Sequence, residues 1–176
     1  LVGSEMCIRD RAKELDVPVL EVQHHHGHAL SVMAEHHLDG KCLAVIFDGT
    51  GFGTDGTVWG GEFLLCEDRS FTRVGAVKPI SMISGDESVR QAWKSLLCHL
   101  AHSGIPSEDK REAVVKAAVA GGLNTVKSSS MGRLFDAVSA ALGLADYNTY
   151  QGRCAMLLEN QAALAKRERK IPTELS

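Results

Sequence analysis

Four histidines fall within five positions, His24, His25, His26 and His28, and the cluster Asp48-Gly49-Thr50-Gly51 follows a short apolar run. Residues four apart on a helix share a face, so His24 and His28 can both point at one ion. Imidazole nitrogen is a common ligand of zinc and iron. Two such ligands do not close a site, so a third is expected from elsewhere, preferably a carboxylate. The same tract would also serve as a solvated surface helix. Glycines such as Gly49 and Gly51 let a backbone approach phosphate oxygens closely, and successive N–H groups can form an anion-binding concavity. Asp48, at the end of the apolar run, is placed to hold a metal that bridges to those phosphates. Asp-Gly is also a common hairpin signal. The loop gains its weight from following the histidines after one helix and one strand. His36 and His37 fall near a helix C-terminus, where an imidazolium is mildly favourable. His99 and His102 read as surface or helix-end groups.

The elements that must position these residues can be laid out along the chain. Val17 to Val22 reads as a short strand, with Pro18 near its start. A helix is expected from His25 to Leu38, stopped at Asp39-Gly40 with glycine in the left-handed position. Cys42 to Phe47 is continuously apolar, as a buried central strand would be. The glycine-dense residues 49–57 are expected as a loop, and Val58 to Cys66 and Phe71 to Val77 as strands joined by a hairpin-like connection. Helices are expected from Asp86 to His102, Ser107 to Ala120, Met131 to Leu142 and Gly152 to Glu168. Ser130 is the natural N-cap of the third, whose apolar stripe would be Leu134, Phe135, Val138 and Leu142. The order is α/β, strands early and helices late.

Bulk properties narrow the class. At 176 residues, 44% hydrophobic and 23% charged, one domain with a sizeable core is the default. No apolar run approaches the ~20 residues that span a bilayer, so no membrane role is expected. A net charge of −3 gives no electrostatic reason to expect nucleic acid. The five cysteines, Cys7, Cys42, Cys66, Cys98 and Cys154, are scattered without a C-x-x-C pair; that suits a reducing cytoplasm. Residues 1–11, Leu1 to Arg11, look like an in-frame translation of a sequencing-library adapter and are set aside from fold reasoning. The domain proper is then expected at 12–176, and the chain reads as cut at both ends.

Taken together, five stretches resemble the C-terminal, threonylcarbamoyltransferase-like domain of the hydrogenase-maturation carbamoyltransferases, the HypF family. They are Val22 to His28, Asp48 to Glu62, Gly85-Asp86 with Arg90-Gln91-Ala92-Trp93, Ser129 to Val138, and Tyr150-Gln151-Gly152. They occur in the family's order and cover nearly the whole chain from about residue 15. The resemblance implies an actin-like, sugar-kinase-like ATPase (RNase H-like) fold, of which this would be a truncated first lobe with a mixed sheet and following helices. It implies that His24, His28 and Asp48 ligate a divalent metal, iron or zinc. Asp48, Gly49, Thr50, Gly51, Asp136 and Gly152 would bind ATP or carbamoyl-adenylate. The implied activity passes the carbamoyl group of carbamoyl-adenylate, made from carbamoyl phosphate and ATP, to the C-terminal cysteine of HypE; this chain alone would show no turnover. Two places depart from the family's pattern. Tyr150-Gln151-Gly152-Arg153-Cys154 stands where Tyr-Glu-Gly-Gln-Ala is usual, and Ile83-Ser84 where Pro-Gly is expected. O-carbamoyltransferases and tRNA threonylcarbamoyltransferases share the His-x-x-x-His and the fold, but Trp59 to Glu62 and Met131 to Asp136 favour HypF. A non-catalytic metal-binding module is the rival from another class.

Overall fold

A computed structural model describes residues 10–15, 17–67 and 69–165. Most of the adapter-like stretch, residues 1–9, lies outside the described residues, as does the end of the helix expected to reach Glu168.

The chain runs as helix α1 (His24–Glu35), strands β1 (Lys41–Phe52), β2 (Val58–Glu67), β3 (Ser70–Ala76) and β4 (Ile80–Ile83), and helices α2 (Ala92–Ser103) and α3 (Glu112–Gly121). Strand β5 (Thr125–Ser128) and helices α4 (Met131–Ala141) and α5 (Arg153–Ala163) follow. The sheet is mixed, as expected, and β2 is its hub. It pairs antiparallel with β1 along its length and antiparallel with β3 at its far end. Beside Val58 it pairs parallel with Ser128 of β5, which in turn carries β4 antiparallel.

Several expectations change. Residues 18–23 form no strand; Val17, Val19, Leu20 and Val22 are exposed, so no apolar burial offsets the cost of ordering them in a ladder. Helix α1 stops at Glu35, before Gly40. His37 takes the left-handed position with φ 51°, and the Leu38 and His37 N–H groups close back on the Met33 and Ala34 carbonyls, the paired bonds of a Schellman motif. The stretch expected as a helix from Asp86 divides into a 3-10 turn (Asp86–Val89) and α2. Helix α3 starts at Glu112 instead of Ser107.

The apolar run of β1 is not a buried central strand. Among the described residues β1 is an edge of the sheet. Its alternation puts Cys42, Ala44 and Ile46 against α1 and leaves Leu43, Val45 and Phe47 at 58%, 53% and 58% exposure. Nor do residues 49–52 form a free loop. β1 continues to Phe52, with Phe47 opposite Gly61 and Gly51 opposite Trp59, so β1 carries extra residues between those pairs. Such a bulge bends the strand and re-aims its side chains.

Three apolar clusters hold the layers together. Ala29 and Met33 of α1 pack on Ile46, Trp59, Leu64 and Cys66. Ile80 and Met82 of β4 meet Leu97, Cys98 and Val115. Ala92, Ala140 and Cys154 join α2, α4 and α5. The stripe expected on α4 holds only in part: Leu134 and Phe135 are half-buried, Val138 and Leu142 are exposed, and the buried residues are Asp136, Ala137, Ser139 and Ala140. An ion pair and hydrogen bonds, described below, let a polar face turn inward.

Leu64 is wholly buried, and truncating such a residue removes its transfer free energy and leaves a cavity. In urea unfolding, Leu64→Ala should cost about 2–5 kcal/mol, and Leu43→Ala under ~1 kcal/mol because its side chain is already in water. Equal losses at the two positions would contradict the assigned register.

Candidate metal centre and adjoining cavity

The N-terminus of α1 abuts the bulge of β1. Gln23 caps the helix: its Oε1 accepts from the His26 N–H at 2.8 Å, meeting one of the helix's otherwise free donors. His24 and His28 then lie one turn apart, with Nε2 atoms 3.2 Å from each other. Asp48 Oδ2 is 2.9 Å from His24 Nε2 and 3.7 Å from His28 Nε2. Among the described residues, these three are the histidine, cysteine or carboxylate groups whose ligand atoms all lie within 4.8 Å of one another.

These separations can be tested against a cation. Donors about 2.1 Å from a common ion stand roughly 3.0 Å apart at a right angle and 3.4 Å apart at the tetrahedral angle. The observed spread of 2.9–3.7 Å brackets both values. Two neutral nitrogens and one carboxylate oxygen are also a donor set that zinc and iron accept. The residues fit a divalent ion and leave positions for further ligands.

Close backbone approach fixes Asp48. A Cβ on Gly60 would lie 2.5 Å from the Asp48 carbonyl oxygen, and one on Gly132 would lie 2.7 Å from Gly49 Cα. Gly49 N–H donates to Asp48 Oδ1 at 2.6 Å. Ser130 Oγ donates to the Gly49 carbonyl at 2.5 Å and accepts from the Arg133 N–H at 3.1 Å. One serine therefore caps α4, as expected, and pins it to the bulge. The carboxylate also lies beside the positive end of α1, a favourable place for an anion.

Sequence reasoning passed over three other participants. His25 is fully buried, with its ring 5.9 Å from that of Trp59 and its Nε2 3.5 Å from Asp48 Oδ2. Burial brings its pKa down to about 4, with His24 acting the same way and Asp48 and Glu62 opposing. Glu62 is also fully buried. Its carboxylate takes Arg73 Nε at 2.6 Å, the Ser129 hydroxyl and, at 3.2 Å, the Gly60 N–H. Arg73 then lies 4.3 Å over the Trp59 ring and reaches Asp55 at 3.0 Å. Burial raises the pKa of Asp55, but bonds from Thr57 and Trp59, with Arg73 beside it, outweigh that and leave it below the ordinary value. The Trp59-Gly60-Gly61-Glu62 stretch was visible in the sequence; its partner Arg73, on another strand, was not.

Beside the bulge lies a cavity of about 390 Å³. Thr50, Phe52 and Thr57 line it together with Ser84, Gly85, Lys94 and Arg133. Thr50 is thus the candidate nucleotide residue that faces this space. Asp48, Gly49, Gly51, Asp136 and Gly152 do not line it. Asp136 is buried, held by Arg133 at 2.9 Å and by Asn148 at 2.9 Å. Burial raises its pKa against the pull of both. Gly152, with φ 77°, is the N-cap of α5.

A family model described as the second subdomain of the carbamoyltransferase Kae1-like domain matches residues 44–176. The HypF Kae1-like domain model matches residues 4–35. The chain belongs to the HypF carbamoyltransferase family. It is 40% identical over 163 residues to the carbamoyltransferase HypF of Rhodobacter capsulatus, covering 87% of this chain and 22% of that one. With the HypF of Rhizobium leguminosarum bv. viciae, identity is 35%, over 84% of this chain and 20% of that protein. The chain therefore spans about a fifth of the length of these relatives. A full-length HypF crystallised in its phosphate- and nucleotide-bound form superposes with a TM-score of 0.82 at 37% identity, covering 94% of this chain and 23% of that one. The T. kodakarensis HypF gives 0.77 at 31%, covering 93% and 24%. The α/β lobe with a mixed sheet expected from the HypF resemblance is the fold these structures share.

Removing Arg73 would leave the Glu62 carboxylate buried without its cation. Arg73→Met should destabilise the chain by about 3–5 kcal/mol, and adding Glu62→Leu should recover most of the loss, both read by thermal unfolding. A double variant no more stable than the single one would show that the ion pair does not act as the unit described.

Proposed function

We propose that this chain forms part of the site at which a HypF protein transfers a carbamoyl group from carbamoyl-adenylate to the C-terminal cysteine of HypE, in the cytoplasm. Carbamoyl-adenylate would come from carbamoyl phosphate and ATP elsewhere in the full protein. In the transfer, the thiolate sulfur bonds to the carbamoyl carbon, the carbon–oxygen bond to the phosphate breaks, and AMP leaves. The observation that carries this reading is the convergence of His24, His28 and Asp48 beside the cavity that Thr50 and Arg133 line.

An iron or zinc ion held by His24, His28 and Asp48 would supply positive charge for the phosphate oxygens of the nucleotide. The chain's own residues do the rest. Thr50 brings the bulge to the edge of the cavity; its hydroxyl and the Gly49 N–H, which bond within the bulge, would have to exchange those partners to meet a nucleotide. Lys94 adds charge in the cavity, where it is screened less than in water, while Arg133 lines it with its own charge offset by Asp136. Asp136 acts through Arg133, whose guanidinium it orients. Gly152 lets α5 begin where it does, and the nucleoside contact that the resemblance implies for it would lie outside this cavity. A nucleotide-bound relative supports the nucleotide reading, and family membership supports the transfer.

Zinc titration of the chain should give one site, and Asp48→Ala should weaken it by tenfold or more. If Asp48→Ala leaves affinity unchanged, the histidine tract binds by itself and the non-catalytic module gains ground. Function is read in a chimaera in which this chain replaces the matching segment of a longer HypF. Carbamoylation of the HypE cysteine, followed by intact mass, should proceed and should fall at least 100-fold with Asp48→Ala. Undiminished transfer by that variant would contradict the proposal.

A further inference from the structure

We infer that His25 is a positioning residue for the metal centre: its Nε2–H holds the Asp48 carboxylate in register with His24 and His28 without itself ligating the ion. The inference rests on the metal reading above.

The argument begins at Gln23. Its Oε1 accepts from the His26 N–H at 2.8 Å, which settles which end of the amide is oxygen. The NH2 end therefore faces His25 Nδ1 at 3.2 Å, while also donating to the Phe52 carbonyl at 3.2 Å. A donor facing Nδ1 requires the lone pair there, so the proton of the neutral ring sits on Nε2.

That N–H is fully buried and has no hydrogen-bond partner of its own. A buried donor without an acceptor is unfavourable, and Asp48 Oδ2, at 3.5 Å, is the acceptor that lies before it. The ring cannot easily turn elsewhere. A Cβ on Gly51 would fall 2.4 Å from His25 Cε1, and the ring of Trp59 lies beside it with centroids 5.9 Å apart. Closing that contact would steady Asp48 on both oxygens, since Gly49 N–H already holds Oδ1 at 2.6 Å. A carboxylate oxygen has two lone pairs, so Oδ2 keeps one directed at the ion.

The competing reading makes His25 a third imidazole ligand. It would need the Nε2 lone pair free, hence a proton on Nδ1, pointed at the Gln23 NH2. Two donors would then face each other. His25 Nε2 also lies outside the group of donor atoms that mutually converge within 4.8 Å.

Two measurements on the 176-residue chain test this. Long-range 1H–15N NMR of the metal-free protein should show His25 protonated at Nε2; a proton at Nδ1 would overturn the assignment whatever the variants do. Zinc titration should show His25→Leu, which keeps bulk and loses the donor, binding at least tenfold more weakly. His25→Gln, whose amide nitrogen reaches the Nε2 position, should stay within about threefold of the parent, since such outer partners set metal affinity by about 10–100-fold. A folded His25→Leu that binds like the parent would overturn the positioning role while leaving the metal reading intact. No zinc binding by the parent chain would sink that reading and this inference together.

Discussion

Asp48 carries a carboxylate into a space bounded by three imidazole rings, with Oδ2 at 2.9, 3.5 and 3.7 Å from the nearest nitrogens of His24, His25 and His28. Nothing local to a β-strand would put it there. The bulge between Phe47 and Gly51 re-aims the side chain, and three glycines permit the approach. Gly60 admits the Asp48 carbonyl, Gly51 admits the His25 ring, and Gly132 lets α4 close on Gly49. The β1–β2 pairing, the start of α1 and the start of α4 therefore meet around one charged group.

A second buried charge makes that arrangement stiff. Glu62 draws in Arg73 from β3, Ser129 from the β5–α4 junction and backbone N–H groups of its own strand. Buried ion pairs contribute little net stability, but breaking one leaves an uncompensated charge. The geometry around Glu62 is thus defended against local rearrangement. Through Trp59, which touches both Arg73 and His25, that rigidity reaches the histidines. On the far side of β1, Leu43, Val45 and Phe47 remain exposed.

The sequence disclosed what depends on short spacing. His24 and His28 share a helix face, Asp48 follows an apolar run, Ser130 caps α4, and β2 and β3 form a hairpin. It concealed what depends on distant partners. β4 and β5 are four residues each, too short for a period to show, and exist because Ser128 pairs with both Val58 and Ile80. The inward face of α4 was unreadable from hydrophobicity, because Asp136 is buried by virtue of Arg133 and Asn148. His37 takes the left-handed position at the end of α1 although Gly40 was available nearby, since the Leu38 and His37 N–H groups can then meet free carbonyls. His25 was quoted with its neighbours, yet its burial depends on Trp59 and Gly51, more than twenty residues away along the chain.

The central claim is that His24, His28 and Asp48 act as one composite ligand set, and X-ray absorption at the metal edge of the zinc-loaded chain reads it most directly. The account predicts two imidazole nitrogens and at least one oxygen at about 2.0–2.2 Å. A first shell of three or more imidazoles without a carboxylate oxygen would contradict it, because the histidine tract would then be binding the ion without Asp48.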